Sequence, residues 1–248
     1  MFRHKGKART FSHNFRLAAF LSFIAGVVNI CGVLALGVLT TNVTGHFAYF
    51  AEAVVKEHNF SGVYFLFYIL AFLFGSFIAS LLTEYFSHKD SHAPHNAAMF
   101  LEILLLLILG VYGDTFVRDG INIPLLACLL LFAMGLQNSL VSKISKSAVR
   151  TTHLTGLFTD LGIELSQLFF YKEEGQRKRL LSSIGLRCGI IAFFFLGCVI
   201  GGVLFISIKF KVLIMAAAIL VIALVYDNIR LGYYRIRKRL HTGDKHVS

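Results

Sequence analysis

The chain has 248 residues, 56% of them hydrophobic and only 15% charged, with a mean hydropathy of +0.72. A soluble domain would be closer to half apolar and about a quarter charged, so the composition excludes an ordinary water-soluble enzyme or binding module. The net charge of +11 does not point to nucleic acid, because the basic residues flank apolar runs, as topology signals do.

The segment Met1 to Arg16 is basic and runs directly into an apolar stretch ending at Leu39. That stretch is too long for a signal-peptide core and lacks an A-x-A cleavage site, so it reads as a retained first span. Six helical spans are expected at about 17–39, 61–83, 97–117, 121–142, 184–208 and 210–229. Each is near the roughly 20 residues that cross a bilayer as a helix. The alternating segments of about 10 residues expected of a β-barrel are not the pattern here.

The breaks between spans carry the turn chemistry. Ser87–Asn96 reads as a polar loop with Pro94, and Gly113–Asn122 as a tight turn with two glycines. Lys172–Arg179 is a charged, solvated stretch, and Lys209 and Lys211 mark a short turn between the last two spans. With the N-terminus inside, the basic arm, Lys89, the cluster from Lys143 to Arg179 and the basic tail all fall on the cytoplasmic side. Only Lys56, Arg118, Lys209 and Lys211 fall outside. Both termini are therefore expected in the cytoplasm.

Two apolar stretches do not fit a six-span drawing: Thr40–Asn59 and Thr151–Tyr171. Re-entrant or interfacial helices are expected there; eight full spans are the alternative, but they would put Lys143, Lys146 and Arg150 outside. The two stretches resemble each other. Thr41-Asn42-Val43-Thr44-Gly45-His46-Phe47 and Thr152-His153-Leu154-Thr155-Gly156-Leu157-Phe158 share T-x-[apolar]-T-G-x-F, each after a further Thr. Upstream, Gly26-Val-Val-Asn29 matches Gly135-Leu-Gln-Asn138. The copies are offset by about 110 residues, close to half the chain. Each half then holds three spans, and an odd number inverts the second half relative to the first, as in many transporters.

The expected architecture is thus an all-α polytopic membrane protein and a single membrane domain. Repeat 1 covers about 16–118 and repeat 2 about 121–233; 1–15 and 234–248 are basic cytoplasmic tails.

Thr and Gly at a helix start suit capping and close approach. Exposed N–H groups and the helix dipole favour an anion or polar solute there. Irregular backbone at membrane depth is tolerated only inside protein or beside a wet cavity. Two such segments arriving from opposite faces would make one polar centre. The candidate pathway residues are Asn29, Thr41, Asn42, Thr44, Gly45, Gln137, Asn138, Thr152, His153, Thr155 and Gly156. Interhelical packing by Thr and Asn is the plainer reading of the same residues. After the second motif, Asp160, Glu164 and Gln167 share a helical face. Asp160 and Glu164 are the candidate ion-coupling acids, with an interfacial polar face as the alternative.

Other features read as structural. Glu52 and Lys56 form an i, i+4 surface pair. Glu102, Arg187 and Asp227 near the cytoplasmic ends suggest snorkelling or an ion pair. Cys31, Cys128, Cys188 and Cys198 read as small packing residues. His88, His92 and His95 are weak as a zinc set. Gly75/Ala79, Gly185/Gly189 and Gly197/Gly201 read as helix-packing seams. No metal, cofactor or catalytic group is expected.

The runs Ser22–His46, Gly135–Ser145 and Val149–Leu165 together resemble the YoaK-like family of bacterial membrane proteins. The resemblance covers nearly the whole chain. It implies a multi-pass protein of the bacterial inner membrane with about six spans, and it implies no substrate or catalytic residue. The expectation is a transporter or channel for a small polar or anionic solute, with the bilayer as partner and a homodimer compatible with its size. The alternative is a non-transporting scaffold or sensor.

Overall fold

A computed structural model describes residues 11–56, 59–89, 94–119, 123–145 and 151–225. The remaining parts of the two tails, His92 and Asp227 lie outside the described residues. Every regular element among the described residues is helical. These are α1 (Phe11–Leu36), α2 (Val43–Val55), α3 (Asn59–His88), α4 (Asn96–Arg118), α5 (Ile123–Ser145), α6 (Leu154–Gln167) and α7 (Glu174–Ile208). A short 3-10 turn, Lys209–Lys211, leads into α8 (212–225).

Five helical stretches are long and apolar enough to cross a membrane, and the last runs for 52 residues from Glu174 to Val225. A straight helix of that length would measure about 78 Å, far beyond a bilayer. It is broken at Lys209, whose φ of 50° and ψ of −134° reverse the chain. The contact pattern gives the directions. Gly189, Gly197 and Gly201 of α7 face Phe15, Phe23 and Val27 of α1, so those two helices run parallel. Gly113 faces Phe210 while Gly110 faces Ile214, so α4 and α8 run antiparallel. The last residues of α1, α4 and α7 meet at one face, where Leu34, Ala35, Val117, Arg118 and Phe205 line a common pocket. The long helices among the described residues are therefore α1, α3, α4, α5 and α7, with α8, described for residues 212–225, turning back beside α4.

Burial divides them. The most apolar windows of α1 and α5 are 67% and 61% buried, whereas that of α3 is 22% buried. α1 and α5 form the centre, and the other long helices turn Phe, Leu and Val side chains outward, as a lipid-facing shell does. The shell joins the centre through two glycine seams. A Cβ on Gly26 would stand 2.2 Å from the Phe194 carbonyl oxygen, and one on Gly197 2.1 Å from that of Phe23. The α3–α5 seam has the same form, with Gly75 at 2.1 Å from Phe132 O and Gly135 at 2.2 Å from Phe72 O. A thiol or hydroxyl accompanies each: Cys198 Sγ donates to Gly26 O and Ser76 Oγ to Gly135 O. Backbones this close need residues without a side chain. Gly75, Gly189, Gly197 and Gly201 thus serve as the packing positions their spacing suggests.

Several sequence expectations are revised. Gly113 lies inside α4, its missing side chain making room for the Phe210 ring, so the turn begins only after Arg118. α7 starts at Glu174, ten residues before the expected span, because the charged run Glu174–Arg179 is solvated but helical. Cys188 is exposed, whereas Cys31 is buried as expected. α2 and α6 have 13 and 14 residues, about 20 Å of helix. That is too short for the hydrocarbon core, and the alternative of eight full spans falls.

Candidate functional site

α1 ends in a tight reversal. Gly37 has φ +68°, its N–H donates to Val33 O, and the Val38 N–H reaches back to Gly32 O. The first bond is that of the αL cap, C′ N–H to the C3 carbonyl, and the second satisfies a further carbonyl of the last turn. The chain then folds back over Gly32, where an added Cβ would stand 2.4 Å from Thr40 Cγ2. Thr41 Oγ1 donates to Asn29 Oδ1 at 3.0 Å. Asn29 lies seven residues before Leu36, so the motif re-enters about 10 Å along α1.

The second motif does the same on α5. Thr152 Oγ1 donates to Asn138 Oδ1 at 3.0 Å, and Asn138 lies seven residues before Ser145. Both short helices then run back toward the surface they came from. His46 packs on Tyr68 and Tyr49 on Phe65, so α2 returns antiparallel along α3. Contacts of Glu164 with Ser183 and of Asp160 with Arg187 place α6 antiparallel to α7. The burial pattern is identical position by position across Thr40–Ala48 and Thr151–Thr159. α2 and α6 are half-helices that begin part-way along α1 and α5, with the N-cap and first-turn residues Asn42, Thr44, His153 and Thr155 exposed.

The roles inside the motif differ from expectation. The N-cap positions are Asn42 and His153, not threonines. The Gly45 N–H donates to Asn42 Oδ1 at 3.0 Å, while His153 makes no side-chain cap bond. A Cβ at Gly45 would stand 2.8 Å from Asn42 Nδ2, and one at Gly156 2.3 Å from His153 Nδ1. The T-G glycines leave room for the cap residue to fold over the first turn. Thr44 and Thr155 are exposed on that turn. Thr40 and Thr151, which precede the shared pattern, are fully buried with Oγ1 unpaired. Their shared position before the repeat is the only sequence signal for them.

The motifs do not form one polar centre. α2 packs on α3, α6 packs on α7, and the two half-helices are not a packed pair. Gln137 lies apart from the motif contacts, its Nε2 donating to Leu21 O at 2.7 Å to tie α5 to α1. This bond sets Leu21 level with Gln137. The Asn29 site lies eight residues further along α1 and so about 12 Å from the Asn138 site along the bundle axis. The pocket of about 440 Å³ lies elsewhere, at the ends of α1, α4 and α7, beside Asp114, Arg118 and Lys209.

Asp160 and Glu164 share a face, as expected, and Arg187 occupies it. Its Nε and Nη2 donate to Glu164 at 2.8 and 3.0 Å, and its Nη1 to Asp160 at 2.9 Å. Ser183 Oγ adds a 2.6 Å bond to Glu164. Arg187 is thus in an ion pair, one of the two roles its sequence position suggested. Glu102 has neither role: it is fully buried and both carboxylate oxygens lack a partner. The expected surface pair forms, with Lys56 Nζ donating to Glu52 at 2.6 Å and holding that carboxyl below its ordinary range.

Comparison with known proteins places this geometry in a family. A family model described as "Protein of unknown function (DUF1275)" matches residues 17–226. The chain belongs to that family. It is also 27% identical over 185 residues to the "UPF0700 transmembrane protein YoaK" of Bacillus subtilis (strain 168), covering 74% of this chain and 80% of the relative. No solved structure matches. The DUF1275 match covers both half-helices and nearly all of the other described helices, and the chain is a multi-pass helical membrane protein.

Proposed function

We propose that this protein is a transporter or channel for a small polar or anionic solute, built from two inverted three-span repeats. The observation that carries the reading is the pair of half-helices that start part-way along the long helices, each pinned there by a Thr–Asn bond seven residues from a long-helix end. Broken helices of this kind present free N–H groups and a positive dipole end to anionic or polar groups at membrane depth. The repeat reading is supported by the paired seams at Gly26/Gly197 and Gly135/Gly75 and by the matched burial of the motifs. It rests equally on the alternating directions of the long helices.

On this reading Thr44 and Thr155 line the two mouths of a path, and Asn29, Thr41, Asn138 and Thr152 hold its walls. Arg187 fastens α6 through Asp160 and Glu164, so any coupling by these acids requires that ion pair to open. The protein acts without a catalytic group. It resides in the bacterial inner membrane with both termini cytoplasmic, as the Lys and Arg distribution favours, and a homodimer would cover part of α2 and α6. The test is flux in proteoliposomes of the full chain, assayed with chloride, acetate, phosphate and glycerol. Thr44→Val and Thr155→Val should each lower flux of the transported probe at least tenfold. Equal flux in both variants and the unaltered chain would remove the motifs from the path. The scaffold reading is favoured by the 12 Å separation of the motifs along the axis, and it expects no flux above empty vesicles for any probe.

A further inference from the structure

Glu102 lies six residues into α4, is fully buried, and has no hydrogen-bond partner at either carboxylate oxygen. Its buried neighbours on the same helix are apolar: Ala98, Met99, Ile103 and Leu106. Leaving a carboxylate there in its charged form, with no donor or cation, costs several kcal/mol.

Two further buried polar atoms lack a partner in the same region: Ser22 Oγ on α1 and Gln137 Oε1 on α5. Glu102 lies 16 residues before Arg118, Ser22 lies 14 before Leu36, and Gln137 lies 14 after Ile123. Those helix ends share one face of the bundle, so the three groups lie within about 3 Å of one level. α5 packs on both α1 and α4. Gln137 Oε1 is an acceptor without a donor, and an ionised Glu102 would bring only more acceptors. A protonated Glu102 brings the missing O–H.

The charged groups on the packed elements are engaged or placed elsewhere. Lys143 of α5 binds Glu84 of α3 at 2.7 Å. Arg16 of α1 is exposed, six residues before Ser22. His88 and Lys89 lie at the end of α3, where Lys89 Nζ donates to Tyr85 Oη at 2.6 Å. Lys209 and Lys211 lie at the opposite end of α4, where Asp114 accepts from the Phe210 N–H. α8 has no ionisable residue between 212 and 225. On the N-terminal side of α4 itself, His95 lies seven residues earlier.

We propose that Glu102 is a proton-binding site that controls the packing of α4 against α5. With the proton bound, the carboxylic acid closes the bundle at this level. When the proton passes to water, the carboxylate draws water in and α4 loosens. The proposal stands apart from solute flux.

The test uses the full chain in liposomes. Infrared spectra at neutral pH should contain a carboxylic acid C=O band that is absent from Glu102→Gln and shifted in Glu102→Asp. Hydrogen exchange along α4 should rise at least tenfold beyond its ordinary pH dependence as the band disappears at alkaline pH. That extra rise should be lost in Glu102→Gln. A wild-type spectrum without the band overturns the proposal even if neither variant folds. So does a band that persists in Glu102→Gln, or α4 exchange with the same pH dependence in both proteins.

Discussion

Alanine at the seam glycines measures how closely the backbones approach. A Cβ at Gly26 would stand 2.2 Å from the Phe194 carbonyl oxygen and 2.9 Å from Cys198 N. Ordinary contact begins near 3.4 Å, so α1 and α7 must part by roughly 1 Å along that line, which overpacking data put at about 1–3 kcal/mol. Both partners are backbone and cannot rotate away, which favours the upper half of that range. Alanine returns about 1 kcal/mol of helix propensity, leaving a net loss of about 1–2 kcal/mol. Gly162 supplies the control: it lies in α6 with nothing within 4 Å of its added Cβ, so Gly162→Ala should stabilise by about 0.5–1 kcal/mol. The assay is unfolding in mixed micelles followed by circular dichroism. Gly26→Ala and Gly197→Ala share one seam, so the double variant should lose less than the sum by at least about 0.5 kcal/mol. Gly26→Ala and Gly135→Ala share no partner atom and should add. If Gly26→Ala is as harmless as Gly162→Ala, the backbones are not in close contact.

Asn29→Ala and Asn138→Ala should each cost about 0.6 kcal/mol, and up to about 1.7, in the same unfolding assay; adding Thr41→Val or Thr152→Val to the matching variant should cost little more. Arg187→Met leaves Glu164, 13% exposed, without its cation, and should cost about 1–3 kcal/mol. Its hydrogen exchange should rise in α6 and stay unchanged in α2. Lys209→Gly removes a side chain from a backbone conformation at φ 50° and ψ −134°; relief of strain set against glycine's entropy should stabilise by about 1 kcal/mol, read as a higher unfolding midpoint.

Much of this fold is legible in the sequence, because hydropathy and lipid impose the same length scale on each long helix. The repeated T-x-x-T-G pattern also locates both half-helices. Contacts between residues far apart in the chain stay hidden. Arg187 meets Glu164 across 23 residues, and the glycine spacings announce a seam without naming the helix on its other side. Gly113 reads as a turn because glycine favours turns, yet here it accommodates the Phe210 ring. Glu174–Arg179 reads as a loop because it is charged, although Glu, Gln, Arg and Lys are good helix formers. Glu102 reads as an interfacial acid because its depth and its neighbours depend on how α4 is buried.

The seams also limit how the molecule can move. On the inverted-repeat reading, α1 of the first half is joined to α7 of the second, and α5 of the second to α3 of the first. Each seam crosses between halves through backbone contacts that admit no side chain. The halves cannot rock apart as two rigid bodies without opening both seams at once. The freer parts are α2 and α6, each a short helix held by one Thr–Asn bond and by a single neighbouring long helix. On that reading a solute path would open by displacement of the half-helices against a fixed centre of α1 and α5.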